Sequence, residues 1–316
     1  MAGRSSRGTH SDDEDVNGFE RWHTHLSTTV TIKIFGHTLS ISQDPDSLDL
    51  GTTVWDASLI LSKYMEVNPS LYGTRKLRGK RVLELGAGCG LAGLAFALQG
   101  ADVVMTDLPA VIPILEKNAT MNVGSLNTEV LGFKPSIKVQ PYCWGDPVGE
   151  LADEPPWDFI VACDCVYVES LVAILVDSLE RLAGKNTTVI VASEKRELDT
   201  YDLFKRRLGE NFTIRRAPRK SMHRKYDHEN SEVLICRRRR GKAIAAEAEA
   251  PSAETGEADV ETPTAIEAVT AEGIEAEMVP SPPSSAKPKQ EEAAAPSALT
   301  LLLGAADDGV TSTKIV

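Results

Sequence analysis

No run of eighteen apolar residues occurs in the 316-residue chain, so no membrane-spanning helix is expected. The N-terminal stretch MAGRSSRGTHSDDEDVNG lacks the apolar core that a secretion signal needs. Five cysteines are too few for a disulfide scaffold of this length. They are expected to stay reduced, in a cytoplasmic or nuclear compartment. No C-x-x-C pair and no paired-histidine spacing appears, so no metal site is expected. Residues 241–316 contain no Phe, Tyr, Trp or Cys. Such a segment cannot bury enough apolar surface to offset the entropy of ordering it.

Charge divides the chain in the same place. Residues 241–316 carry fourteen acidic and four basic side chains, a net of −10 out of −12 for the whole chain. The acidity therefore belongs to a tail and says little about partners of the folded part. Length alone suggests two domains of about 150 residues. The charge map instead leaves one, at residues 29–240, between a disordered leader (1–28) and a disordered acidic tail (241–316) that is expected to be dispensable for chemistry.

Within that span strands and helices alternate. Residues 29–34 and 38–41 alternate in polarity around a Phe35-Gly36-His37 turn, which predicts a small β-hairpin. Helical apolar spacing covers residues 54–65, with Thr52 or Thr53 as its cap. Apolar strands are predicted at 81–85, 102–106, 137–139, 159–163 and 188–192. Helices follow at 91–98, 111–121, 170–182 and 201–208. Strands at 212–215 and 232–236 close the series with no long helix between them, so the last should be antiparallel. The pattern predicts an α/β fold, a Rossmann-like doubly wound sheet of seven strands, mostly parallel.

The most informative segment is Val82-Leu-Glu84-Leu-Gly86-Ala87-Gly88-Cys-Gly90-Leu91. A strand runs into three alternate glycines and then a helix. Glycine lets the backbone turn sharply and approach a ligand without a Cβ in the way. The dinucleotide fingerprint G-x-G-x-x-G needs a glycine at position 91, which is leucine. Asp107 ends the next predicted strand, where a carboxylate can accept hydrogen bonds from both ribose hydroxyls. E-x-G-x-G-x-G with this downstream acid resembles the motif of class I S-adenosylmethionine methyltransferases.

Three further motifs narrow the resemblance. Gly51-Thr-Thr-Val54-Trp55-Asp56-Ala57 precedes the glycine loop, Trp144-Gly145 follows the third strand of the sheet, and Asp164-Cys-Val-Tyr167 follows the fourth. The series resembles the family 16 methyltransferases, which are seven-β-strand protein-lysine methyltransferases. The group that modifies valosin-containing protein, with its plant relatives, is the nearest likeness. It covers about residues 38–237.

The resemblance implies S-adenosylmethionine as cofactor and a protein substrate, of the chaperone-like ATPase or translation-factor kind, with no membrane and no nucleic acid. It implies that Gly86, Ala87 and Gly88 lie against the methionine part of the cofactor and that Asp107 holds the ribose. Trp55 would help close the pocket, Trp144 would sit beside the adenine, and Cys163 would border the site. Asp164 and Tyr167 would be the catalytic pair. A nucleic-acid or small-molecule methyltransferase and a non-catalytic cofactor-binding protein stay as alternatives. Enzymes acting on exocyclic base amines often carry [DN]-P-P-[YF] where this chain has Asp-Cys-Val-Tyr.

Each site residue also has a plain structural reading. Trp55 would be a core aromatic of an amphipathic helix, and Asp107 a cap for the segment starting at Leu108. Asp164 and Tyr167, three apart on a helical turn, would face one side of it. Their plain reading is a cap for the helix starting near Ser170 with a packed tyrosine, and six residues is too far for a simple cap. Cys163 and Cys165 read as buried thiols. His223 and His228 read as loop residues, and Arg237 to Arg240 as the solvated boundary of the fold, a contact for an acidic partner or nucleic acid, or a nuclear-import signal.

Overall fold

The computed structural model describes residues 26–126, 128–152 and 156–240. Most of the expected leader and the whole expected tail lie outside the described residues. The chain opens with the predicted hairpin, β1 (Thr29–Ile34) and β2 (His37–Ser42), turned by Phe35 and Gly36 at positive φ. Helices α1 (Asp56–Val67), α2 (Pro69–Tyr72) and α3 (Thr74–Leu77) lead to β3 (Arg81–Leu85). Then come α4 (Leu91–Leu98), β4 (Asp102–Asp107), α5 (Ile112–Ser125), the single turn α6 (Thr128–Leu131) and β5 (Ser136–Pro141). The second half runs β6 (Phe159–Cys163), α7 (Glu169–Leu182), β7 (Thr188–Glu194), α8 (Leu198–Asn211), β8 (Phe212–Arg216) and β9 (Ser231–Arg238).

Seven of these strands form one sheet in the order β5-β4-β3-β6-β7-β9-β8. All neighbours pair in parallel except β9, which is antiparallel to both β7 and β8, as the missing crossover helix required. Side chains alternate across the sheet. Val161, Ile190 and Ala192 join the core under α1 and α4, while Ile160, Ala162, Val189 and Val191 join the core under α7 and α8. Strands covered on both faces are largely apolar, so β6 reads as an uninterrupted apolar run, while the buried Glu84 interrupts β3.

The order reverses between β3 and β6: the chain first winds outward through β4 and β5, then returns to β6 on the other side of β3. Doubly wound sheets take their ligands in the crevice outside the strand ends at such a reversal, here beyond the carboxyl ends of β3 and β6. The glycine loop follows β3 and the Asp164 segment follows β6, so topology alone brings the two motifs together.

The hairpin has a positioning job. Asn118 and Asn122, one turn apart on α5, each exchange two hydrogen bonds with the β2 backbone. Asn118 accepts from Ser42 N–H (2.8 Å) and donates to its carbonyl (2.9 Å), and Asn122 does the same at Ser40 (2.9 Å each). Two side-chain amides thus imitate a neighbouring strand along the outer edge of β2. Asn118 also donates to the Cys89 carbonyl (3.1 Å), tying hairpin, α5 and glycine loop together. The segment from Gln43 to Trp55 leaves this anchor as a strap over the glycine loop. Gln43 holds its base, accepting from Val54 N–H (2.6 Å) and donating through its own N–H to Thr28 O (2.8 Å).

Some local expectations are corrected. Helix α1 starts at Asp56, two residues later than its apolar spacing suggested, and its cap position is Trp55. Neither threonine caps it, and the Thr52 hydroxyl donates to the Asp44 and Asp49 carbonyls instead (2.8 and 2.7 Å). Asp164 to Tyr167 is not a helical turn: helix begins only at Glu169. Helix α8 extends beyond the predicted residues 201–208 at both ends.

Candidate active site

Gly86, Gly88 and Gly90 all have positive φ (61°, 54° and 84°), so the backbone between β3 and α4 needs three residues without a Cβ penalty. Space is equally restrictive. A Cβ on Gly86 would lie 2.8 Å from Cys165 Sγ and 2.9 Å from the Trp144 ring, and one on Gly88 would lie 3.0 Å from the Gly51 carbonyl. Strap, Trp144 and the segment after β6 therefore all converge on this loop.

The loop is not a phosphate cradle. Ala87 N–H donates to Thr106 O (2.9 Å), Gly88 N–H to Asp107 Oδ2 (2.7 Å) and Gly90 N–H to Ala87 O (2.8 Å). At the start of α4, Gly93 N–H donates to Glu84 Oε2 (2.8 Å). The buried Glu84 carboxyl thus fills the helix end that a pyrophosphate would use in a dinucleotide site. Burial pushes it up to about 8, helped by the nearby Asp107 charge and opposed by the Gly93 hydrogen bond. Gly93 is required for this approach: a Cβ there would meet Glu84 Oε2 at 2.5 Å and Met105 Sδ at 2.4 Å. No Lys or Arg occurs between Gly86 and Gly93 to balance a phosphate.

Asp107 sits at the carboxyl end of β4 with both oxygens anchored. Oδ2 accepts from Gly88 N–H and Oδ1 from Leu108 N–H, each at 2.7 Å. It does not cap a helix, since α5 begins at Ile112. Each oxygen keeps a lone pair for a further donor. Burial pushes its carboxyl up to about 6, against the pull of those two hydrogen bonds, with Asp49 adding like charge.

Trp55 lies at the end of the strap, half-buried, its Nε1–H donating to Leu50 O (2.8 Å). Trp144 is half-buried against the Gly86 side of the loop. The adjoining Gly145 N–H donates to Ser178 Oγ (2.9 Å). Cys163 ends β6, and Cys165 approaches the Leu85 carbonyl (3.5 Å). Burial drives both thiols well above their ordinary range, so they line the site as small apolar groups rather than nucleophiles.

Asp164 shows the clearest departure from ordinary backbone. Its φ is +59°, uncommon for a residue with a side chain. This conformation turns the carboxylate across the end of β7, where Arg196 grips both oxygens (Nη1 to Oδ1 2.9 Å, Nη2 to Oδ2 2.8 Å). Glu194 N–H adds a longer bond at 3.3 Å. The Arg196 guanidinium also lies 5.0 Å from the centre of the Trp55 ring, within cation–π reach, and bonds Glu194 Oε2 (3.0 Å). Burial works against its charge, but the Asp164 carboxylate prevails and holds its pKa above the usual value. Arg196 thereby joins the strap to Asp164, and sequence reasoning missed it. Tyr167 is half-buried beside these groups, its phenol pushed upward by burial and by Cys165, Asp107 and Asp164.

The Arg237 to Arg240 run lies away from this crevice. Arg238 donates to the Glu180 and Ala183 carbonyls at the end of α7, and Arg239 to Gly209 O (2.9 Å) near the end of α8. Cations there satisfy orphan carbonyls and complement the helix dipoles.

A family model described as lysine methyltransferase matches residues 34–209. The chain belongs to that family. Protein N-lysine methyltransferase METTL21A of Mus musculus is 31% identical over 65% of this chain and 88% of its own length. EEF1A lysine methyltransferase 3 of Mus musculus is 34% identical over 58% of this chain and 74% of its own. The resemblance read from the four motifs holds, and the protein is a lysine methyltransferase that uses S-adenosylmethionine.

Proposed function

We propose that the protein methylates a lysine side chain of a protein substrate in the crevice between β3 and β6, with the residue roles that follow. The observation that carries this reading is the pairing of a helix end closed by Glu84 with an Asp107 carboxylate held open for two more donors. That arrangement suits an adenosyl ligand without phosphate. When bound, S-adenosylmethionine supplies an electrophilic methyl group on a sulfonium sulfur. Asp107 accepts hydrogen bonds from the ribose, Gly86 to Gly88 give the backbone room for the methionine part, and Trp144 and Trp55 wall the pocket.

A free lysine titrates near about 10.4, so its ammonium must lose a proton before attack. Partial burial beside Tyr167 favours the neutral amine. Asp164, with both oxygens gripped by Arg196, orients that amine as a fixed charged acceptor, and the proton leaves to water. Holding the amine in line supplies the proximity term of the barrier. One relative's name includes EEF1A, which makes translation factors the first substrates to try.

Tritiated S-adenosylmethionine and cell lysate test the reading. Label that protease removes and RNase spares supports it; label lost to RNase overturns it. Binding also carries a pH signature. Protonating Asp107 removes an acceptor, so affinity should be flat above pH 7. It should then fall by up to about tenfold per unit below pH 6. The sign follows because hydroxyl donors favour the charged form, so the ligand competes with the proton. Asp107→Asn should bind weakly and without this slope. Calorimetry showing equal affinity at pH 5 and pH 8 would remove Asp107 from the ribose.

A further inference from the structure

The sheet positions a strongly basic segment beside the crevice. From Arg215 to Lys225 six of eleven residues are Lys or Arg and none is Asp or Glu. This stretch leaves β8 at its carboxyl end, the same end of the sheet as the crevice, because β8 runs parallel to β7 through the antiparallel β9 between them. The loop is not loose. Asn68 Nδ2 donates to Ser221 O (2.8 Å), Met222 and Tyr226 are buried in the core that includes α1, and Lys63 lies 5.3 Å from the Tyr226 ring centre. It then returns to the site: Lys195 N–H, next to Arg196, donates to Asn230 O (2.8 Å). The loop is therefore a pinned band running from the sheet edge along α1 to the mouth of the crevice.

Lys225 lies 5.7 Å from the Tyr226 ring centre, and the other five cations divide into two sets. Arg216 pairs with Glu232 (3.2 Å) and Arg219 with Asp227, so these hold the loop's shape. Arg215, Lys220 and Arg224 are exposed, and among the described residues they meet no acidic side chain. Three like charges with no acidic partner among the described residues repel one another on this pinned surface, a cost that a bound anion removes.

We propose that this band docks an acidic segment of the protein substrate beside the target lysine. It rests on the reading of the crevice as the lysine site. Acidic flanks would raise the encounter rate and hold the chain while the lysine enters beside Tyr167. A polynucleotide would also meet the charge. A protein occupant is favoured because the family acts on lysine and because no exposed aromatic lies between Arg215 and Lys225 to stack a base.

The test uses the full chain and two fluorescein-labelled peptides with a central lysine, one flanked by Asp and Glu, the other by Ser and Gly. Wild type should bind the acidic peptide about tenfold more tightly at low salt, a preference lost near 0.5 M salt. The triple variant R215E/K220E/R224E should lose the preference in anisotropy. In turnover the loss should fall on KM rather than on kcat. R75E/K76E reverses two exposed charges just before β3, at the opposite end of the sheet, and should keep the preference. A triple variant that discriminates like wild type overturns the proposal. So does a single-stranded RNA that binds as tightly as the acidic peptide and loses its binding in the same variant. Anisotropy reads the band without any methyl transfer. If no peptide or lysate protein is methylated, the reading of the crevice fails while the band is still tested.

Discussion

Asp164→Asn is expected to lower the methylation rate by about a hundredfold or more while S-adenosylmethionine still binds. Asparagine is the informative replacement because it tolerates positive φ, so the +59° backbone can persist. It keeps an oxygen for one Arg196 nitrogen but loses the charge and one of the two forked bonds. The amine of the substrate then meets a neutral, less firmly held acceptor. Asp164→Ala should abolish transfer, but it also places a β-carbon at positive φ without side-chain compensation. Arg196 would keep Glu194 as an ion-pair partner in either variant, which protects the fold. Arg196→Lys should reproduce much of the loss, because an ammonium cannot fork onto a carboxylate and stack over Trp55 at once. Turnover near wild type in Asp164→Asn would end the catalytic assignment. Loss of cofactor binding in calorimetry would move Asp164 to the cofactor site.

Arg196 shows what spacing along a chain can and cannot reveal. The glycine loop was legible because its constraints are local: alternate glycines after an apolar strand mark a backbone that needs positive φ. Asp107 was legible as an acid ending the next strand, and β9 as antiparallel from the missing helix before it. The Arg196–Asp164 fork spans 32 residues and exists only because β6 and β7 end side by side. Nothing in the Glu194-Lys-Arg-Glu197 run distinguishes that arginine from its neighbours. Asn118 and Asn122 hid for the same reason, since an asparagine pair on a helix does not announce a strand to imitate. The α1 cap was misplaced because Thr52 had closer partners in its own loop. Cys165 read only as a buried thiol, yet it touches Gly86, because the loop after β6 turns back toward β3 at the order reversal.

Gly86→Ala should remove S-adenosylmethionine binding almost entirely, by about a hundredfold or more. Two penalties act together. At φ +61° an alanine costs roughly 1–2 kcal/mol in backbone strain alone. Its methyl would also press on Cys165 Sγ and the Trp144 ring at 2.8 and 2.9 Å, distances that real Cβ atoms do not keep. Cys165 is buried and cannot swing away, so either the loop or Trp144 must move, and both face the proposed cofactor pocket. Gly36→Ala separates the two effects. Its φ is +77°, comparable in strain, but nothing lies within 4 Å of the added methyl in the hairpin turn. That variant should lower the melting temperature by a few degrees and leave cofactor affinity unchanged. If Gly86→Ala merely loses stability as Gly36→Ala does, and binds the cofactor like wild type once folded, the glycine loop does not form the pocket wall.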